Sequence, residues 1–174
     1  MKSPYPEEWP QFFTASALDW KPLFKEDKYK DLIIDALRFA VKENRIRLSA
    51  FVIMNTHIHI VWQQLIPFTK SQVQLGFMKY TAQKIKFDLQ YTNPQFLSEF
   101  KVDLKDREYK FWQRRPLSVE LFSSEVMQQK IDYIHYNPVR AGLCKYPEDY
   151  KYSSAKFYNT GVDDFGIWTT DTKE

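Results

Sequence analysis

The sequence predicts an α+β domain, because strand-like and helix-like segments alternate along the chain. Aromatic and β-branched side chains predict strands at residues 12–20, 45–54 and 57–63. Apolar side chains at three- and four-residue spacing predict helices over residues 27–44 and 69–90. With a fourth strand further on, this order matches the β-α-β-β-α-β arrangement of ferredoxin-like and RRM-like cores. We therefore expect a small antiparallel sheet with helices on one face.

The first half of the chain supplies the first helix and a hairpin. Pro22 ends the first strand, and Asp27 begins a helix whose apolar residues share one face. Asn55-Thr56 is a two-residue polar break between the next two strands, which is the spacing of an antiparallel hairpin. The predicted buried face of the first helix consists of Leu32, Ile33, Leu37, Ala40 and Val41.

The second half supplies another helix, a strand and a third, C-terminal helix. Pro67 precedes the second helix, and Pro94 follows its end. The segment 108–113 predicts the fourth strand, and the third helix is expected to start at Ser123 and to end before Pro138. The predicted buried face of the second helix consists of Leu75, Met78, Ala82, Ile85 and Leu89.

The chain has the length and composition of one folded domain. It contains 174 residues, of which 44% are hydrophobic, and this excludes a disordered chain. We expect a single domain over residues 1–174, with its core at about residues 12–155. Residues 156–174 are expected to form a C-terminal tail of loops and short turns.

Several function classes are excluded by residues that are scarce. Only four glycines are present and they are scattered, which excludes glycine-rich phosphate loops. Cys144 is the only cysteine, so neither an internal disulfide nor a cysteine-rich zinc site can form. No apolar run reaches the roughly 18 residues that span a bilayer, and the N-terminal residues lack the apolar stretch of a signal peptide. We therefore expect a cytoplasmic protein without a membrane partner.

Positive charge concentrates in the middle of the chain. The net charge of +3 comes from 25 basic and 22 acidic side chains, and the basic excess lies between residues 69 and 115. That segment also holds aromatic residues, which is typical of a surface that follows single-stranded nucleic acid and stacks its bases. The alternative is a solvated helix face with aromatic residues in the core. The predicted phosphate contacts are Lys79, Lys84, Lys86, Arg114 and Arg115, with Trp112 as a stacking platform and Arg140 as a further phosphate contact or a helix cap.

Two of the three histidines occupy alternate positions in one strand. His57 and His59 therefore point to the same face of the sheet, and Ile58 points to the other. Two neighbouring imidazoles can ligate one divalent metal ion. The alternative is a pair of polar residues on the wet face of a half-buried strand. A third ligand would have to come from elsewhere in the chain.

The third predicted helix carries a second pair of residues that can contribute to a functional site. Tyr133 and Asn137 are four residues apart, so they share a helix face and can enter one site. Taken alone, the pair is also explained by a core tyrosine and an asparagine that ends the helix before Pro138.

These segments resemble the single-tyrosine HUH transposases. Residues 50–62 (AFVIMNTHIHIVW) are similar to the His-hydrophobic-His strand of that group. Residues 110–115 (KFWQRR), 130–143 (KIDYIHYNPVRAGL) and 147–154 (PEDYKYSS) resemble the REP-associated tyrosine transposases, where REP denotes a repetitive extragenic palindrome. The similarity covers about residues 12–155 in the order of the family. One departure is Met-Asn-Thr before the histidines instead of Met-Pro-Asn, which affects the rigidity of the turn more than the chemistry.

The resemblance implies a site and an activity. His57, His59 and Asn137 would match the metal ligands, and Tyr133 would match the nucleophile. Family members have an RRM-like core, use Mg²⁺ or Mn²⁺, and cut single-stranded DNA near hairpins through a 5′-phosphotyrosine intermediate. Because imidazole suits Mn²⁺ better than Mg²⁺, we expect Mn²⁺ to bind at least as tightly. Relatives are monomers or homodimers, so both states are expected possibilities for this chain.

Three alternatives to a strand transferase remain open from the residues alone. The first is an RRM-like module that binds nucleic acid without catalysis. The second is a rolling-circle nickase, for which 174 residues leave little room for a further domain. The third is a zinc hydrolase, which is disfavoured because no carboxylate or third histidine accompanies the pair. His135 lies about 200° around the helix from Tyr133, so it does not fill that gap.

Overall fold

The computed structural model describes residues 9–168 of the chain; residues 1–8 and 169–174, which include the end of the predicted tail, lie outside it. No helix within the described range is long and apolar enough to cross a bilayer. In chain order the elements are β1 (Gln11–Ser16), α1 (Asp27–Lys42), β2 (Ile46–Ile53), β3 (His57–Gln64), α2 (Lys70–Thr92), α3 (Pro94–Ser98), β4 (Lys101–Leu104), β5 (Arg107–Tyr109), β6 (Leu117–Glu120), α4 (Ser124–Arg140) and α5 (Ala155–Thr160).

The main sheet has the strand order β2-β3-β1-β6, and every neighbouring pair is antiparallel. This is the order of a ferredoxin-like core, so the predicted α+β fold is confirmed. β3 lies inside the sheet, between β2 and β1. Its His59 therefore has Thr14 of β1 on one side and Val52 of β2 on the other.

Alternation of side chains gives the two faces of the sheet separate cores. Phe13 and Ile58 pack with α1 and α2 on one face. Phe12, one position along β1, packs with α4 on the other face. The prediction that the helices cover one face of the sheet therefore holds for α1 and α2. The tyrosine-bearing helix α4 covers the other face. Because His57 and His59 alternate with Ile58 along β3, they face α4.

The turn between β2 and β3 is held by backbone hydrogen bonds. The N–H of Met54 donates to the carbonyl of His57 at 2.8 Å, which closes the hairpin. The segment after β1 also contacts the turn, since the N–H of Ala17 donates to the carbonyl of Thr56 at 2.8 Å. The turn that lacks the proline of related sequences is therefore fixed by its neighbours.

The fourth strand of the main sheet is β6, so its predicted position at residues 108–113 is wrong. That segment is divided between the β4–β5 hairpin and a single bridge from Trp112 to Ala17. Arg115 then adopts a left-handed backbone conformation (φ 59°), and pairing with β1 resumes only at Leu117. β6 has four residues at the edge of the sheet, which is too short for a clear alternating pattern.

The third predicted helix, α4, continues through Asn137 and Pro138 instead of ending there. Proline removes only its own N–H from the helix, and the turn that follows closes normally. The N–H of Ala141 donates to the carbonyl of Asn137 at 3.0 Å, and the N–H of Leu143 to that of Pro138 at 3.0 Å. Asn137 therefore sits inside a regular helix, which fixes its direction.

The buried face of α2 differs in part from the predicted one. Phe77, Thr81, Ile85 and Leu89 form the buried stripe at four-residue spacing, whereas Leu75 is 67% exposed. Leu75 lies two residues before Phe77, which places it about 200° around the helix. Ile85 and Leu89 are buried as predicted.

Two further boundaries change. β1 ends at Ser16 instead of residue 20, because Asp19 and Trp20 have left-handed backbone angles that no strand accommodates. The predicted tail begins inside α5, and Trp168 stacks on Phe51 with ring centres 5.8 Å apart. The described part of the tail therefore belongs to the folded domain.

Candidate active site

The two histidines of β3 form a compact pair on the face below α4. Their ring centres are 4.9 Å apart, and His59 is only 6% exposed. The Nδ1 atom of His59 lies 2.7 Å from the hydroxyl of Thr14, and Nδ1 of His57 lies 3.0 Å from the hydroxyl of Thr56. When each Nδ1 donates to its threonine, each Nε2 keeps a lone pair for another ligand.

Burial keeps both histidines neutral at physiological pH. It lowers the pKa of His59 to about 3, and the neighbouring His57, Arg140 and Lys130 act in the same direction. Burial also lowers the pKa of His57, although a side-chain hydrogen bond with Asn137 partly opposes this effect. Neutral imidazoles are the form that binds a metal ion.

Helix α4 brings the predicted tyrosine and asparagine to this pair. The ring centre of Tyr133 is 5.4 Å from that of His59. Asn137, one turn later, hydrogen-bonds to His57. The four residues predicted from the sequence therefore meet within one chain, on one face of the sheet.

The Tyr133 ring is surrounded by Phe12 and two basic residues. Phe12 stacks on His59 with ring centres 5.4 Å apart and meets Tyr133 edge-on at 5.9 Å. The Arg140 guanidinium lies 4.5 Å from the Tyr133 ring centre, and Lys130 Nζ lies 4.9 Å from that of Phe12. Tyr133 nonetheless remains 44% exposed, so its ring is positioned but accessible.

The donor set fits a divalent cation. Within residues 9–168, no cluster of three His, Cys, Asp or Glu side chains is able to hold a metal. The candidate donors on this face are two neutral imidazoles and the amide oxygen of Asn137. This set suits Mn²⁺, whereas Mg²⁺ prefers oxygen ligands.

His135 does not complete a zinc site. Its Nε2 lies 2.7 Å from the hydroxyl of Ser154 inside the protein, and burial lowers its pKa to about 4. It stabilises the packing of α4 against the segment that precedes α5. The zinc-hydrolase alternative therefore gains no third histidine.

The predicted lysine contacts lie on a different surface from the histidine pair. Lys79, Lys84 and Lys86 belong to α2, which packs on the opposite face of the sheet. Lys79 and Lys84 are exposed, and Lys86 Nζ lies 5.3 Å from the ring centre of Tyr109. The structure therefore does not bring these three residues to the candidate site.

Trp112 is a core residue, and its predicted role as a stacking platform is contradicted. Its side chain is 6% exposed and packs between Phe24 and Phe77. Its Nε1–H donates to the hydroxyl of Thr81 at 3.1 Å. No face of the ring is open to a nucleobase.

Arg114 and Arg115 lie at the same end of the sheet as the histidine pair. Both are exposed, and the preceding Gln113 donates its N–H to the carbonyl of Ser16 at 2.7 Å. Ser16 is paired with His57 in the sheet register. Three of the predicted DNA contacts, counting Arg140, are thus close in the fold to the candidate site.

The sequence-based prediction missed several residues of this site. Thr14 and Phe12 reach the site because β1 pairs with β3. The available signal was the alternation of side chains along β1, which places both residues on the histidine face once the register is known. Lys130 precedes Tyr133 by three residues, so helix periodicity pointed to it. Trp20, whose ring centre is 5.4 Å from that of His57, was assigned only to the end of a strand.

This chain has an antiparallel sheet with a histidine pair beneath a tyrosine-bearing helix. Solved transposases share its fold. One such structure, a REP-associated tyrosine transposase bound to a REP hairpin, matches all of this chain and 93% of its own with a TM-score of 0.65 at 16% identity. A transposase structure from Deinococcus radiodurans matches 77% of this chain and 94% of its own with a TM-score of 0.50 at 13% identity. At these identities the likeness concerns the fold.

The sequence comparison points to one group within that class. A Haemophilus influenzae protein assigned as a REP-associated tyrosine transposase is 26% identical over 151 residues, which covers 82% of this chain and 81% of the relative. No protein-family model matches the chain. The predicted resemblance to the REP-associated tyrosine transposases is thereby confirmed.

Proposed function

We propose that the protein is a metal-dependent single-stranded DNA endonuclease and strand transferase, a transposase of the single-tyrosine HUH type. The observation that carries this proposal is the convergence of Tyr133 and Asn137 on His57 and His59. An RRM-like binding module without catalysis has no need for a tyrosine beside two neutral histidines. No described feature favours that alternative over the enzyme.

The residues for a metal ion are His57, His59 and Asn137. Thr14 and Thr56 orient the imidazoles through their Nδ1 atoms. A divalent cation held there would neutralise negative charge on the scissile phosphate. We propose Mn²⁺ or Mg²⁺, with Mn²⁺ binding at least as tightly because two of the three donors are imidazoles.

Tyr133 is the proposed nucleophile. Its hydroxyl oxygen attacks the phosphorus, the new oxygen–phosphorus bond forms, and the bond from phosphorus to the 3′ oxygen breaks. The phenolic proton is lost to solvent, and the released 3′ oxygen takes up a proton to become a 3′-OH. Because the number of phosphoester bonds is unchanged, the 3′-OH of another strand can reverse the step without ATP.

The two basic side chains beside Tyr133 have a positioning role. Arg140 lies over the ring and donates a hydrogen bond to the Tyr133 carbonyl at 2.5 Å, so it orients the tyrosine and presents positive charge to DNA. Lys130 adds a second positive charge near Phe12. Both attract the phosphate backbone to the exposed side of the tyrosine ring.

The proposed substrate is single-stranded DNA next to a hairpin, such as a repetitive extragenic palindrome. Support comes from the solved relative, which is described as bound to a REP hairpin, and from the name of the Haemophilus influenzae relative. A single tyrosine beside a single histidine pair cuts one strand per site, which agrees with a single-stranded target.

A covalent-adduct assay tests the proposal. The protein is incubated with Mn²⁺ and a pool of labelled single-stranded hairpin DNAs, and denaturing gels detect DNA attached to protein. We expect an adduct with the natural protein and with Tyr136→Phe, but none with Tyr133→Phe. Tyr136 is the matched control because it is exposed on the same helix. An adduct in Tyr133→Phe, or binding without any adduct in the natural protein, would refute the proposal.

A further inference from the structure

Trp20 is an exposed indole beside the candidate site. All five tryptophans lie within residues 9–168, and Trp20, at 58% exposed, is the most exposed of them. Its ring centre is 5.4 Å from that of His57, with the ring planes inclined by 59°. The indole combines a large apolar ring with a position next to a proposed metal ligand, and tryptophan is enriched at binding interfaces.

The backbone holds this indole in a demanding conformation. Asp19 and Trp20 both have left-handed angles, with φ of 52° and 54°. Neighbouring segments impose the turn: the N–H of Leu18 donates to the Phe111 carbonyl at 2.7 Å, and the N–H of Trp20 to the Ala17 carbonyl at 3.0 Å. Such conformations persist only where the surroundings fix them, so the place of the indole is set by the fold.

Two arginines flank the same turn. The N–H of Asp19 donates to the side chain of Gln113 at 3.1 Å, which ties the turn to the segment that carries Arg114 and Arg115. Both arginines are exposed, and neither forms an ion pair with another residue in the range 9–168. Basic side chains next to an aromatic ring are the usual parts of a surface that binds single-stranded nucleic acid.

Four rings form a row across the candidate site, in the order Tyr133, His59, His57 and Trp20. Their centres are separated by 5.4 Å, 4.9 Å and 5.4 Å in turn. The tyrosine lies at one end of this row, and Trp20 lies at the other. A strand that places a phosphate at the histidines and runs on towards Trp20 would bring a neighbouring nucleotide to the indole.

We propose that Trp20 forms a nucleobase-binding subsite, in which one base of the single-stranded substrate stacks on the indole while Arg114 and Arg115 contact adjacent phosphates. The inference rests on the proposed function, because it places the subsite relative to the cleavage position. Stacking accepts any base, so the subsite fixes the position of the strand along the site and not its sequence.

Abasic substitution combined with mutation tests the subsite. Binding of single-stranded hairpin oligonucleotides is measured by fluorescence anisotropy in the Tyr133→Phe background, with an abasic nucleotide placed at each position in turn. We expect one abasic position to weaken binding about 5- to 100-fold. Trp20→Ala should cause a similar loss, and the abasic nucleotide should then have no further effect. Trp20→Phe should restore most of the affinity.

Tyr91→Ala is the matched control, because Tyr91 is 76% exposed on α2 and lies away from the histidine pair. It should leave the abasic profile unchanged. If the losses of affinity caused by Trp20→Ala and by the abasic nucleotide multiply when the two changes are combined, the two groups act independently and the subsite is wrong. Unchanged binding by Trp20→Ala would also overturn it. A thermal melt of Trp20→Ala shows whether the variant is folded, and rescue by Trp20→Phe separates stacking from a structural role.

Failure of the subsite and failure of the proposed function give different results. If the subsite is wrong but the enzyme is right, Trp20→Ala with Tyr133 intact forms the covalent adduct at the same single-turnover rate and with the same dependence on DNA concentration as the natural protein. If the subsite is right but the catalytic proposal is wrong, no adduct appears while the abasic cycle still shows coupling at one nucleotide. Natural protein that does not bind single-stranded DNA at all would overturn both.

Discussion

Arg140 contacts Tyr133 twice, although the two residues are seven positions apart on α4. Its guanidinium lies 4.5 Å from the centre of the tyrosine ring, and it donates a hydrogen bond to the Tyr133 carbonyl at 2.5 Å. The arginine predicted as a DNA contact or helix cap is therefore also a side chain that positions the proposed nucleophile.

Replacing Arg140 should slow the reaction more than it weakens binding. In Arg140→Gln the tyrosine ring loses a neighbour that fixes it, and small errors in the position of a nucleophile are costly. We expect adduct formation to slow by about tenfold or more, with a smaller change in hairpin affinity. Single-turnover gels and anisotropy measure the two quantities. The control is Lys145→Gln, an exposed cation beyond the end of α4; equal rates in both variants would contradict the role of Arg140.

Metal affinity should depend on the histidines and on the threonine behind one of them. His59→Ala should abolish Mn²⁺ binding in calorimetric titration, because it removes one of three donors. Thr14→Val should weaken binding about 10- to 100-fold, since such residues fix the direction of a metal-binding imidazole. Ser118→Ala is a suitable control on the opposite face of the sheet. Equal Mn²⁺ affinity in His59→Ala and the natural protein would exclude this metal site.

The salt dependence of DNA binding should identify the surface that holds the phosphates. If about 4 to 6 phosphates are neutralised, the log–log slope for single strands is near −3 to −4. Replacing Arg114 and Arg115 by alanine should flatten the slope by about one. Replacing Lys79 and Lys86 should leave it unchanged, because α2 lies on the other face of the sheet. Binding curves at several salt concentrations decide between the pairs, and the reverse result would place DNA on α2.

Stability should fall in acid because His135 is buried without charge. Its pKa is about 4 in the folded protein and about 6.5 when unfolded, so the unfolded state binds the additional proton. The stabilisation is present above about pH 6.5 and is lost as the pH falls towards 4, by up to about 3 kcal/mol. His135→Gln should flatten this decline in urea denaturation. His59 contributes in the same direction, so some decline remains; an unaltered pH profile would refute the assignment to His135.

The fold could be predicted because its main elements are long and periodic. The hairpin of β2 and β3 and the helices α1 and α2 have clear spacing of apolar residues, and their bounds differ from prediction by at most two residues. β6 was missed because it has four residues at an edge, where Leu117 and Val119 are partly exposed. Pro138 suggested a helix end, yet packing of Ile134 and Ile131 in the core continues the helix.

Each half of the candidate site could be predicted from local spacing, because His57 with His59, and Tyr133 with Asn137, share faces of single elements. That the two distant pairs form one site was predicted from the family resemblance and not from spacing. Trp20 and Thr14 reach the site through strand pairing and a left-handed turn, which no local pattern encodes. Trp112 shows how local composition can mislead. An aromatic residue among charged neighbours is typical of a binding surface, yet this side chain is buried in the core.

The two faces of the sheet carry hydrophobic cores of different size. The larger core joins α1 and α2 to the sheet, whereas a smaller group of buried residues joins α4 to it. Local opening begins where less apolar surface is buried, so amide hydrogen exchange should be faster in α4 than in α1. Under the proposed mechanism, DNA linked to Tyr133 would be attached to this helix, so local opening of α4 would move the DNA while the larger core stays folded.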